Sequence, residues 1–60
     1  MGKLLSVPEV ADRLHVKQSW VRAAIFEKRL AYIKVGRLVR VEEEALNAFL
    51  EANRQEAATG

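Results

Sequence analysis

Cysteine is missing from these 60 residues. That excludes a disulfide and a cysteine-ligated metal, and it suits a reducing compartment without requiring one. Histidine occurs once, at His15, and no nucleophile–base set accompanies it. Neither an enzyme nor a metal or cofactor site is therefore expected. No apolar run approaches the roughly 20 residues that span a bilayer, and no signal-peptide core follows the N-terminus. The expectation is a cytoplasmic protein without membrane contact. There are no repeats and no low-complexity tract. A chain this short makes one small domain that buries only about 60% of its unfolded surface, so its stability is modest.

What is present is an uneven charge. Residues 1–40 hold nine basic residues against three acids, a net of +6, while residues 41–60 hold one basic residue against five acids, a net of −4. The first two-thirds can follow a phosphate backbone and the last third cannot. On charge alone, a surface with charges scattered for solubility explains the composition equally well.

The chain opens with an arm, residues 1–5, whose Leu4 or Leu5 folds back onto the first helix. Ser6 stands three residues before Glu9, the spacing of a capping box. Pro8 lies in the first turn, where its missing N–H costs nothing. Val7, Val10, Ala11 and Leu14 follow helical spacing and form a buried stripe. His15 and Val16 make a turn that calls for a left-handed backbone, cheapest for glycine and tolerated by histidine better than by most residues. A phosphate contact or a pH switch is conceivable at His15; a turn residue pointing into water is the preferred reading.

A second helix follows at once. Trp20, Val21, Ala24 and Ile25 share one face, and Gln18, Ser19 and Arg22 share the other with Ala23 and Phe26. Trp20 at this spacing is read as core, packed on the segment that follows, in preference to a residue that stacks on a sugar or base. Phe26 either covers the base of that segment or stays partly exposed. Two short helices with so tight a joint must cross steeply, the helix-turn-helix arrangement, whose second helix is the one offered to the DNA major groove.

After Glu27-Lys28-Arg29 the period changes to two. Ala31, Ile33 and Val35 alternate with Tyr32 and Lys34; after Gly36-Arg37, Leu38 and Arg40 alternate with Val39 and Val41. This is a short antiparallel hairpin. Its apolar face is expected on the helices, with Tyr32, Lys34, Leu38 and Arg40 on the other face and Arg37 at the tip. A basic hairpin beside such a helix reads as a wing that follows phosphates or enters a minor groove, in preference to a hairpin with solvated charges. Glu42-Glu43-Glu44 then opens a third helix carrying Ala45, Leu46, Phe49, Leu50 and Asn53 on one side. The three acids suit the helix dipole, which needs neither a basic partner nor a metal to explain them. Residues 54–60 lack an apolar stripe and are expected to fray. The fold class is small α+β, mainly α: a winged helix-turn-helix over residues 6–53, in the order helix, helix, hairpin wing, helix.

The stretch from Leu5 to Val16, followed by Trp20-Val21-Arg22, resembles the start of small phage and plasmid excisionases and their MerR-like winged-helix relatives. Val35-Gly36-Arg37-Leu38-Val39-Arg40-Val41 resembles their wing, and Glu44-Ala45-Leu46-Asn47-Ala48-Phe49-Leu50 their closing helix. The likeness covers roughly residues 4–52, with actinobacteriophage excisionases nearest in size. The chain departs from the pattern at His15 and Lys28, where the relatives carry glycine, at Ala31 for a proline, and at Lys17 for a capping serine. The resemblance implies a bacterial host cell, a second helix in the major groove and a wing on the minor groove or its phosphates.

The candidate DNA-binding residues are accordingly Lys17, Gln18, Ser19, Arg22 and Ala23 on the helix, and Lys34, Arg37 and Arg40 on the wing. The expected partners are double-stranded DNA, an integrase, and further copies of the chain set head to tail on DNA. The leading function is an excisionase that bends attachment-site DNA and directs integrase toward excision. A small transcriptional regulator of the same fold is the alternative, and a protein-interaction adaptor is the reading from another class.

Overall fold

The structure, a computed structural model, describes residues 2–55. The first helix, α1, spans Val7–Leu14. Its start is the capping box: the Glu9 backbone N–H donates to Ser6 Oγ at 3.3 Å, and the Ser6 backbone N–H donates to Glu9 Oε1 at 2.9 Å. Those bonds, the Ser6 backbone bond above all, hold the Glu9 carboxyl below its ordinary range. Val7, Val10 and Ala11 are buried, and Leu14 is half-buried against the same core.

His15 ends α1 in the left-handed region, with φ of 57° and ψ of 45°. The Val16 N–H reaches back to Ala11 O at 3.0 Å and the His15 N–H to Asp12 O at 3.3 Å. That pair of bonds is a Schellman motif, which satisfies carbonyls a helix end would otherwise leave open. The second helix, α2, spans Gln18–Phe26. It ends the same way one residue past Glu27, at Lys28, with φ of 60°. The Arg29 N–H donates to Ala24 O at 2.8 Å and the Lys28 N–H to Ile25 O at 3.0 Å. Both helices thus stop on the backbone conformation glycine adopts most readily, and neither residue is glycine.

Beyond that second cap the chain turns Leu30 inward. It is among the largest fully buried side chains, a core position that periodicity does not reveal because it follows a charged run and precedes the hairpin. The hairpin strands are β2, Ile33–Val35, and β3, Leu38–Glu42, and the last helix, α3, is Glu43–Ala52. The arm is also a strand. Leu4–Leu5 form β1 and pair antiparallel with β3, giving a sheet of order β1-β3-β2. Leu5 stands opposite Val41 and both are fully buried.

The hairpin register corrects the expected faces. Gly36 and Arg37 form a two-residue loop, so Val35 pairs with Leu38, Lys34 with Val39 and Ile33 with Arg40. Paired residues share a face. Lys34 therefore lies on the side of Val39 and Val41, which meets the helices, while Arg40 lies on the outer side with Ile33, Val35 and Leu38. The two strands alternate in opposite phase because an even loop pairs an odd position with an even one. Gly36 has a φ of 61° and Arg37 does not share the positive value, the order of a type II′ turn, whose twist matches that of the strands.

Ten buried apolar residues form one core, from Leu5 to Leu46. Trp20 is not one of them. It is 38% exposed, and its ring meets Phe49 of α3 edge-on at 6.2 Å. The Arg29 guanidinium lies 5.5 Å from its ring centre. Leu50, expected inside, is 44% exposed: α3 has a short sheet beneath it and buries only Leu46 fully. An ion pair of 2.8 Å between Arg13 and Glu43 ties α1 to the start of α3. Exposed as it is, such a pair contributes at most about 1 kcal/mol. Residues 56–60 of the expected frayed tail lie outside the described residues.

Candidate nucleic-acid interface

The turn at His15 and the buried Val21, Ala24 and Ile25 fix which side of α2 faces outward. Lys17, Gln18, Ser19, Arg22 and Ala23 are all exposed. Lys17 occupies the N-cap position and makes no side-chain cap bond, since an ammonium has no lone pair to accept one. His15 is exposed as well, as a turn residue pointing into water would be.

Between α2, the hairpin and the start of α1 lies an open groove of about 530 Å³. Arg22 lines it from the helix, and Lys34, Arg37 and Arg40 line it from the hairpin. Residues far apart in sequence thus converge on one cleft. Arg40 reaches the groove even though its side chain starts on the outer face of the hairpin; its guanidinium donates to Val39 O at 2.8 Å. Lys17, Gln18, Ser19 and Ala23 lie outside the groove, along the exposed side of α2. No carboxylate lines the groove. Arg22, Lys34 and Arg37 have no ion pair among the described residues, whereas Arg13, Arg29 and Arg54 are each paired with a glutamate. Lys3, Lys17 and Lys28 are also without an ion pair among the described residues and lie outside the groove; the cleft itself gathers four cations and no acid, a distribution that attracts a polyanion.

Seven apolar or aromatic side chains that sequence reasoning did not assign to the site also line the groove, Ile25, Phe26, Tyr32 and Leu38 among them and Val7 and Pro8 from the start of α1. Phe26 is 87% exposed. The available signal was its spacing, one helical turn beyond Arg22 on the same face. Among the described residues there is no group of His, Asp and Glu suited to a metal ion, and no helix is long and apolar enough to cross a membrane.

Comparison with known proteins agrees with this architecture. Residues 4–54 match the family described as helix-turn-helix domain. An excisionase of Streptomyces ambofaciens is 42% identical over 55 residues, covering 92% of this chain and 89% of that protein. No solved structure matches at a significant level. With two helices joined by a tight left-handed turn, a hairpin wing and a full-length likeness of this kind, the chain belongs to the helix-turn-helix domain family and, within it, to the small excisionases.

Proposed function

We propose that the protein binds double-stranded DNA sequence-specifically and acts, without catalysis of its own, as an excisionase. In this reading it bends attachment-site DNA and directs an integrase toward excision. Helix α2 enters the major groove with Lys17, Gln18, Ser19, Arg22 and Ala23 toward the bases and their flanking phosphates. The hairpin is the wing, with Lys34, Arg37 and Arg40 on phosphates or in the adjoining minor groove. The observation that carries this reading is the convergence of Arg22, Lys34, Arg37 and Arg40 on one groove free of carboxylates. A protein-binding adaptor needs no such arrangement. The likeness to a protein called an excisionase favours recombination over promoter control.

One module of this size covers a few base pairs, too little surface for selectivity against a genome of competing sites. Head-to-tail assembly on adjacent sites supplies the missing contacts, as a non-closing contact that builds a filament. Glu42 and Glu44, which have no ion pair among the described residues, belong to the acidic last third of the chain, which would face basic surface of the next copy that the DNA leaves free. Each copy that grips both grooves adds its share of curvature.

Footprinting on DNA flanking the gene tests the whole reading. Protection of tandem sites at an attachment site, filled cooperatively and accompanied by a bend in a circular-permutation assay, is expected. Protection confined to a promoter, or independent filling without a bend, refutes the excisionase assignment. Absence of salt-dependent affinity for any duplex refutes DNA binding itself.

A further inference from the structure

Phe26 has no structural work to do. It is 87% exposed at the end of α2, on a molecule whose core closes without it. Alone it would call for no explanation, but it adjoins Ile25, Tyr32 and Leu38 in one groove, and a contiguous exposed apolar patch marks a binding surface. Its neighbours in the groove are both apolar and cationic, so a wholly apolar protein surface is a poor match. Arg22 lies one turn before it on the same face, and Lys34, Arg37 and Arg40 line the same groove. A partner that covers Phe26 must accept those cations as well. Duplex DNA does so, and in the major groove the base edges carry one apolar group, the C5-methyl of thymine.

We infer that Phe26 is a specificity-determining residue that packs on a thymine methyl beside the base or phosphate held by Arg22. The inference rests on the DNA-binding reading above and adds a base preference to it. Arg22 and Phe26 face outward one turn apart, about 6 Å along the axis, which spans roughly two base-pair steps. The preferred thymine should therefore lie within one or two base pairs of the position that Arg22 contacts. Hydrogen bonds to thymine O4 or to the paired adenine can also favour this base pair, but they do not sense the methyl, which is read by apolar contact alone.

The test uses a pool of random duplexes, from which the full chain and its Phe26→Ala and Phe26→Leu variants each select binders. The wild-type protein should enrich thymine at one or two positions. Replacing that thymine with deoxyuridine, which removes only the methyl, should weaken wild-type binding by about fourfold, the worth of one buried methyl-sized group. Phe26→Ala should lose the enrichment and become indifferent to the deoxyuridine replacement. Phe26→Leu, which keeps an apolar contact, should retain both. Thermal melts of the variants matching the wild type would show that exposure, not folding, explains the change.

A Phe26→Ala protein that still enriches thymine and still pays the deoxyuridine penalty overturns the assignment. So does one whose affinity falls equally for all duplexes, which moves Phe26 to deoxyribose. A wild-type protein that enriches nothing and binds no duplex fails at the earlier step and overturns the DNA-binding reading, a result distinguishable from the other two.

Discussion

The two left-handed residues give a quantitative test of how the recognition helix is framed. His15 and Lys28 each hold a Schellman cap with φ near +60°, and each carries a Cβ that the left-handed region crowds. The penalty for a non-glycine residue there is roughly 1–2 kcal/mol. Replacement by glycine relieves it but frees the unfolded chain, which costs back about 0.4–1 kcal/mol. The net gain expected for His15→Gly or Lys28→Gly is about 0.5–1 kcal/mol each. For a domain of this size 1 kcal/mol moves the melting temperature by about 4–8 °C, so each substitution should raise Tm by roughly 2–8 °C. The caps end different helices, and the double variant should approach the sum. Asparagine, which tolerates this region, should fall between histidine and glycine at position 15, and His15→Val should lie well below, because a β-branched residue is a true outlier there. Circular-dichroism melts in the absence of DNA read the series; Lys28→Gly also removes a cation, so melts with DNA would mix two effects. A glycine variant that melts lower than the wild type, or a valine variant that melts higher, refutes the argument, because it would mean that the caps do not depend on a left-handed residue.

Other substitutions probe the core, the groove and the capping box. Leu30→Ala should destabilise by about 2–5 kcal/mol, most or all of the margin of so small a domain, and a urea midpoint close to the wild type would show that the site tolerates a cavity. Arg22→Ala should cost about 1–3 kcal/mol of affinity and relax preference at one base if the guanidinium is bidentate to guanine; unchanged affinity for a selected duplex removes it from the interface. Arg37→Ala should weaken binding to all duplexes and lower the slope of log affinity against log salt by about one, whereas an unaltered slope makes Arg37 a solvated tip. The Glu9 carboxyl is held below its ordinary range, chiefly by the Ser6 backbone N–H. Its stabilisation is therefore present above the unfolded-state value and disappears as pH falls through the depressed folded one. The Tm gap between wild type and Glu9→Gln should narrow in acid, and a gap that widens there contradicts the capping role.

Local chemistry made some elements legible from sequence and long-range geometry hid others. The Ser6–Glu9 spacing, the Val7-Val10-Ala11 stripe and the His15 turn are short-range signals, and each appears where expected. Gly36 located the hairpin for the same reason. The faces of that hairpin were misread because they depend on whether the loop holds an even or an odd number of residues, which alternation along either strand alone does not reveal. Leu4–Leu5 become a strand only because β3 lies beside them, far along the chain. Leu30 belongs to neither periodic pattern, and it is buried where the chain turns inward after the cap at Lys28. Trp20 has core spacing, yet α3 offers it only the edge of Phe49. At the candidate interface the basic residues stood out by type. Their convergence on one groove did not, since Arg22 and Arg37 belong to separate elements and meet only through the fold.

The pairing of Leu4 with Glu42 and Leu5 with Val41 has a consequence for the order in which the molecule is assembled. These partners are farther apart in sequence than those of the hairpin, so closing their loop costs more entropy than closing the hairpin. Contacts between α1 and α2 are local by comparison and impose little delay. During synthesis the paired helices can therefore gather first, but nothing stands opposite the N-terminal strand until residues 41 and 42 have emerged, and the core lacks Leu46 until slightly later. The wing's inner strand is the surface that receives the beginning of the chain. A nascent protein thus acquires its groove and its closed core in a single late event, and a fragment ending before β3 would leave the recognition helix with no sheet to hold it at its angle.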